Sequence, residues 1–186
     1  MRKTLVGLPI ATFIWATWPA LAHDAFGNVA PFWSGALHIL VSPLSMATLL
    51  ATGAVLATIK YATAERCGLL VMASAGLVTL TGDALSAFAP VGAIAAGLIA
   101  ATGIKPEGLP LQVLCILAGS SIAAAASVDK PDLLTSAGVI LIVFAALLGA
   151  LLVFEALEQK LPLARRVIGA WVAAIGLLLA ALSLRT

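Results

Sequence analysis

Four residues of this sequence carry side chains suited to holding a transition-metal ion, namely His23, Asp24, His38 and Asp83. Imidazole nitrogens and carboxylate oxygens are common ligands of divalent metals. The chain has only two histidines, so any such site depends on very few polar groups. The four residues form one candidate metal site if the fold brings them to the same side of a membrane.

The first 22 residues have the pattern of a cleaved secretory signal peptide. Arg2 and Lys3 precede an apolar stretch over residues 5–18, and Ala20-Leu21-Ala22 provides small residues on either side of a leucine. Cleavage after Ala22 would make His23 the new N-terminus, where its imidazole and α-amino group could chelate a metal together. This pattern predicts an exported N-terminus, periplasmic for a protein of a bacterial inner membrane.

The composition indicates a membrane protein. Hydrophobic residues make up 62% of the chain and charged residues 10%, against about 25% charged in soluble domains. Loss of Arg2 and Lys3 from the ten basic residues leaves eight, which balance the eight acidic residues. A neutral mature chain argues against nucleic acid as a partner. Cys67 and Cys115 are too sparse for a disulfide scaffold, and we interpret both as small core residues.

Six apolar segments follow the signal peptide and predict an all-α membrane protein, a compact bundle of six transmembrane helices in one domain over residues 23–186. A spanning helix needs about 20 apolar residues. Pro90, near the start of the shortest segment, suggests an interrupted helix of the kind found at transporter sites. The segments are 33–59, 68–87, 88–104, 109–127, 134–154 and 167–184.

The basic residues predict the orientation of the six helices. Basic residues concentrate in cytoplasmic loops of membrane proteins. With the N-terminus outside, the inner loops hold six basic residues, and the outer loops and C-terminus hold only Lys130 and Arg185. The six are Lys60, Arg66, Lys105, Lys160, Arg165 and Arg166. The charge distribution therefore agrees with the exported N-terminus and places both ends of the mature chain outside.

This topology puts all four candidate ligands near the outer face. His38 lies five residues after Trp33, about 7.5 Å deeper along a helix, and Asp83 lies at the outer end of the second segment. Alternatives remain for each. His38 could bond a backbone carbonyl of a neighbouring helix, and Asp83 could cap a helix. Asp24 could be a solvated charge. The position of His23 could be an accident of where the signal peptide ends.

The remaining polar residues do not suggest an enzyme or a resident cofactor. The sequence lacks a glycine-rich phosphate loop and a nucleophile elbow. Ser120 and Ser121 are expected to bond back to their own helix. Small residues at four-residue spacing allow close helix packing, either within the bundle or against a second copy or another membrane protein. They are Ala93, Gly97 and Ala101 in one segment and Gly119 and Ala123 in the next.

Two stretches near the N-terminus resemble the HupE/UreJ family. They are Ala22-His23-Asp24-Ala25-Phe26-Gly27 and Pro31-Phe32-Trp33-Ser34-Gly35-Ala36-Leu37-His38. That family comprises hydrogenase- and urease-accessory membrane proteins regarded as nickel or cobalt permeases. The resemblance implies a cleaved signal, a histidine just after it, about six helices and transport of a divalent metal. In architecture it covers the whole chain, and in specific sequence only residues 23–53.

The family signature in the first helix is His-Pro, two residues, Gly, one residue and Asp-His. Here only the first position is kept, as His38, and the later signature positions hold Ile39, Ser42, Leu44 and Ser45. Two functions therefore remain open. One is a secondary permease for a nickel- or cobalt-class ion, with His23, Asp24, His38 and Asp83 as outer-face ligands. The other is a non-transporting accessory, assembly or structural subunit of a membrane metalloenzyme complex.

Overall fold

The computed structural model describes residues 29–126, 132–161 and 163–184. The predicted signal peptide, with His23 and Asp24, lies outside this part of the chain. Every regular element within the described ranges is a helix, which confirms the all-α expectation there. The elements are α1 (Pro31–Val41), α2 (Pro43–Leu56), α3 (Tyr61–Thr79), a short 3-10 helix (Gly82–Phe88), α4 (Ala89–Thr102), α5 (Gly108–Ala126), α6 (Leu133–Lys160) and α7 (Ala164–Ser183).

Four stretches of helix are long and apolar enough to cross a membrane, and the bent pair α1 and α2 makes a fifth if it is one span. The four are Leu85–Thr102, Gly108–Ala126, Leu133–Glu158 and Ala164–Ser183. Lipid-compatible helices of this length indicate an integral membrane protein. The count of six spans stays a prediction, because α3 does not meet the same test of length and hydropathy.

The first apolar segment is broken, and the break was not expected from the sequence. α1 and α2 meet at 75° around Ser42 and Pro43. Proline has no backbone N–H and disfavours helical geometry in the residue before it, and Ser42 is correspondingly extended, with φ −78° and ψ 109°. Ser42 then caps α2, since its hydroxyl accepts a hydrogen bond from the Ser45 N–H. Pro90, where an interruption was predicted, instead lies in the first turn of α4.

The second apolar segment is shifted along the chain. The sequence placed a loop over residues 60–66 and a helix over 68–87, but α3 begins at Tyr61 and ends at Thr79. Glu65 and Arg66 therefore belong to the helix, and their charges lower its hydropathy. The end of the predicted segment, from Gly82, forms the 3-10 helix. α6 is likewise longer than expected, because residues 155–160 continue it to Lys160.

The contacts between helices show in which direction each helix runs. Ser45 and Ser42 of α2 bond Ile122 and Ala125 of α5 in reverse order, so these helices are antiparallel. Gly53 lies against Ala150, and Ala54 and Ala57 share a small cavity with Phe154 and Leu157, so α2 is parallel to α6. By the same reasoning α3 is antiparallel to α6 and parallel to α5, and α4 is antiparallel to both α5 and α7. From α2 to α7 the direction alternates at every helix.

Glycines set the closest approaches between helices. A methyl group at Gly97 of α4 would lie 2.5 Å from the Ala173 nitrogen and 2.8 Å from the Gly169 oxygen of α7. Gly119 of α5 lies similarly close to Val71 and Ser74 of α3. Small residues give helices in lipid the van der Waals contact that replaces a hydrophobic driving force. The small-residue faces predicted around Gly97 and Gly119 thus pack inside this chain.

The two cysteines meet across α3 and α5. Both are buried in one apolar cluster, and their side chains lie close to each other. They lie one helical turn before the contact of Gly119 with Val71 and Ser74, which fits the parallel direction of the two helices. Both residues occupy the core, as the sequence predicted, although their proximity to each other was not foreseen.

Basic residues gather where α2, α4 and α6 end and where α3, α5 and α7 begin, and we call this the basic end of the bundle. Arg166 lies over Gly103, the left-handed residue that ends α4 at φ 74°. Arg165 borders the cavity formed by the last turns of α2 and α6. Cations at helix C-termini interact favourably with the helix dipole. The 3.9 Å pair between Arg165 Nη1 and Glu158 Oε1 adds little by comparison.

At the opposite end, Asp132 caps the start of α6. Its carboxylate accepts a hydrogen bond from the Thr135 N–H at 2.6 Å. This bond holds the pKa of Asp132 below its ordinary value, because it stabilises the charged form. The cap stabilises the start of α6 at Leu133.

Candidate functional site at the break between α1 and α2

His38 is the one predicted ligand whose side chain the structure describes, and it is buried. Only 7% of the residue is exposed, and it lies in the last turn of α1, four residues before Ser42. Its Nδ1 lies 2.8 Å from the carbonyl oxygen of Ser34. This carbonyl belongs to its own helix, whereas the alternative considered from the sequence was a neighbouring helix. The histidine therefore points into the protein rather than into lipid.

The bond to Ser34 assigns the tautomer of His38. A carbonyl oxygen only accepts hydrogen bonds, so Nδ1 is the donor in this contact, and in the neutral ring the lone pair belongs to Nε2. Histidines that bind metals commonly donate their other ring N–H to a backbone carbonyl in this way, which fixes the orientation of the ring. The contact of Nδ1 with the Ser34 carbonyl therefore orients the ring of His38 as such bonds orient metal-binding imidazoles.

The two serines at the break tie α2 to the end of α5. Ser42 Oγ donates to the Ala125 carbonyl at 3.0 Å, and Ser45 Oγ lies 2.8 Å from the Ile122 carbonyl and 2.9 Å from Ser42 Oγ. These serines occupy the positions at which the HupE/UreJ signature has its glycine and its second histidine. Hydroxyl groups that hold two helices together therefore stand where the resembled family has a further candidate ligand.

Further buried hydroxyl groups follow Ser45 along α2. Thr48 and Thr52 are almost completely buried and donate to the carbonyls of Leu44 and Thr48, each at 2.7 Å. With Ser45 they form a buried polar line on the central helix, which packs against α4, α5, α6 and α7. This line was not predicted from the sequence. The signal was present, since positions 45, 48 and 52 repeat at helical spacing.

The side chains of the other three predicted ligands lie outside the part that the structure describes, so their meeting with His38 stays a prediction. Asp83 belongs to the 3-10 helix, which packs on α3, α4 and α5, and its side chain lies outside the described part. His38 belongs to α1, which packs mainly on α6. His23 and Asp24 precede the described residues. Within residues 29–126, 132–161 and 163–184, no group of three or more histidine, cysteine, aspartate or glutamate side chains could hold a metal.

One serine behaves differently from the expectation. Ser121 was expected to bond back to its own helix, but its hydroxyl donates to the carbonyl of Ala89 at the start of α4. Ser136 likewise donates across helices, from α6 to the Gly76 carbonyl of α3 at 2.8 Å. Hydrogen bonds from serine hydroxyls to carbonyls of neighbouring helices therefore occur at several places in this bundle, including the two serines at the break.

Comparison with known proteins adds no relative. No family model, no curated protein and no solved structure matches the chain. The features on which a function can rest are therefore those of the chain itself, namely the membrane helices, the broken first segment and the buried histidine beside the break.

Proposed function

We propose that this chain is a HupE/UreJ-like membrane protein that acts as a secondary permease for a divalent transition metal of the nickel or cobalt class. The observation that carries this proposal is the position of His38, buried four residues before a 75° break between two helices. Transporters typically bind substrate where a helix is discontinuous. Ionisable residues inside membrane bundles are costly and are functional candidates for that reason.

The proposed permease crosses the bacterial inner membrane six times, with its N-terminus in the periplasm after removal of residues 1–22. The alternating directions of α2 to α7 and the clustering of basic residues at one end support this topology. Reporter fusions at Glu158 and after Thr186 should report opposite sides of the membrane. The same side at both positions would mean that α7, the helix between them, does not cross the membrane, and the topology would be rejected.

In this mechanism His38 offers Nε2 to the ion, and the chain from His23 with Asp24 and Asp83 supplies further ligands at the outer face. Passage would follow by alternating access around the break, because a hinge between α1 and α2 can change its angle while α2 stays anchored. The metal is the cargo, not a resident cofactor, and the chemistry proposed is ligand exchange rather than catalysis.

A second candidate function is a non-transporting accessory, assembly or structural subunit of a membrane metalloenzyme complex. The observation that favours it is the use of Ser42 and Ser45 to bind α2 to α5. Bonds that lock the break oppose the movement that alternating access needs. Under this alternative the helices outside the tight interfaces would contact partner subunits, and His38 would only stabilise α1.

Metal uptake by cells with the wild-type chain and with His38→Ala separates the two functions. Loss of one ligand should weaken nickel or cobalt uptake tenfold or more in apparent affinity, while the amount of protein in the membrane stays the same. A matched control is Thr79→Val, which removes a buried hydroxyl bonded only within its own helix. Uptake that is equal in wild type and His38→Ala, or absent from both, would favour the accessory subunit.

A further inference from the structure

An open groove runs between α3 and α6 near the basic end of the bundle. Its volume is about 190 Å³, and Gly68 and Leu69 of α3 and Phe144 and Leu147 of α6 are among the residues that line it. Gly68 keeps it open, since a methyl group there would meet only Leu147 Cδ2, at 3.8 Å. On the outer surface of a membrane bundle such a groove faces lipid. Its mostly apolar lining suits a hydrocarbon chain.

Glu65 is the charged residue among those that line this groove. The residue is exposed, and no ion pair or hydrogen bond joins its carboxylate to another part of the chain that the structure describes. It lies four residues after Tyr61, about 6 Å into α3 from its start. A carboxylate near the apolar core of a bilayer needs a partner of opposite charge or access to water. The groove therefore combines an apolar lining with one unmatched negative charge.

We propose that this groove binds a phospholipid with a primary ammonium headgroup, of which Glu65 accepts the ammonium group and the apolar lining accepts an acyl chain. Side chains on a helix lean towards its N-terminus, so Glu65 leans towards Tyr61 and the basic end. Tyr61, on the same face of α3, also lines the groove and presents a phenolic hydroxyl that can donate to a lipid phosphate. This proposal is independent of metal transport.

Size and charge both favour this occupant. An apolar cavity of about 150 Å³ is large enough to bind benzene, so a groove of about 190 Å³ accommodates several methylene groups of a chain. A primary ammonium has three N–H donors, whereas a quaternary choline has none. An anionic headgroup without an amine would offer Glu65 no N–H donor, although the neighbouring Lys60 and Arg66 would attract its phosphate. The order of preference should be phosphatidylethanolamine first, then phosphatidylcholine and phosphatidylglycerol.

Native mass spectrometry of the purified full-length protein with an equal mixture of these three lipids tests the proposal. We expect phosphatidylethanolamine to be retained about three- to tenfold over phosphatidylcholine, and Glu65→Gln to remove that preference. Glu107→Gln is the matched control, because it removes a carboxylate from a loop at the same end. It should leave the preference intact.

A second variant tests the acyl-chain part separately. The first atom of the side chain in Gly68→Leu would meet only Leu147 Cδ2, at 3.8 Å, so this variant should lower retention of all three lipids while the protein stays folded. Equal retention of phosphatidylethanolamine and phosphatidylcholine by the wild type would overturn the proposal, as would a preference that survives Glu65→Gln. A dimer that forms without bound lipid and is lost in Gly68→Leu would show that a second copy fills the groove, which also overturns it.

Discussion

Two helix pairs in this bundle are held together by different means. α4 and α7 approach through Gly97, Gly169 and Gly176, and no side-chain hydrogen bond joins them among the residues described. α2 and α5 are joined by the hydroxyls of Ser42 and Ser45. The first interface depends on the absence of side chains and the second on particular polar atoms. Close packing therefore holds α4 to α7, and hydrogen bonding holds α2 to α5.

The two interfaces should tolerate single substitutions to different degrees. A glycine interface has backbone atoms on both sides, so nothing can move aside when a side chain is added. Loss of a hydroxyl that bonds a carbonyl should lower the free energy of unfolding only moderately, because the Ile122 carbonyl remains part of its own helix. The glycine interface should therefore be the more sensitive of the two to single substitutions.

Gly97→Leu should have the largest effect on stability. The first atom of the new side chain would already collide with Ala173 and Gly169 of α7, and we expect a loss of roughly 3 kcal/mol or more in the free energy of unfolding. Titration with a denaturing detergent measures it. Gly149→Leu is the matched control, since nothing lies within 4 Å of a methyl group at Gly149, and it should be nearly neutral. Equal losses in both variants would show that α4 and α7 are not closely packed.

Ser45→Ala should have a smaller effect. It removes the hydroxyl whose single proton lies within reach of the Ile122 carbonyl and of Ser42 Oγ, and a hydrogen bond between membrane helices contributes about 0.6 kcal/mol on average and up to about 1.7 kcal/mol. Ser74→Ala removes a bond to Val71 within one helix and should cost less. If Ser74→Ala proved the more damaging of the two in the same titration, the serines at the break would not be what holds α2 to α5.

Much of the helical framework could be predicted from the apolar runs alone. The segments 109–127 and 167–184 agree with α5 and α7 to within a few residues, because their charged flanks coincide with the helix ends. The break at Ser42 could not be predicted in this way, because the hydropathy of a segment does not reflect that Pro43 lacks a backbone N–H. The start of α3 was misplaced for the converse reason. Charged residues interrupt an apolar run, but Glu65 and Arg66 do not interrupt a helix.

The candidate site was harder to predict than the fold. His38 was identified because it is a histidine in an apolar segment, and its burial agrees with that choice. Its partner was not foreseen, because a bond to the carbonyl four residues back depends on the local turn of α1 rather than on residue type. The contacts of Ser42, Ser45 and Ser121 depend on which helices become neighbours. Four-residue spacing of small residues indicates close packing but does not name the helix on the other side.

The packing of α7 has a consequence for how the chain is assembled. Consecutive helices usually pack together, yet α7 packs mainly on α4 and only slightly on α6, and α1 packs mainly on α6. The glycine face of α4 therefore stays uncovered during synthesis until the ribosome has made α7. A chain stopped after α6 would expose that face to other membrane proteins and to quality-control proteases. We therefore expect assembly of the described bundle to finish only when α7 packs on α4.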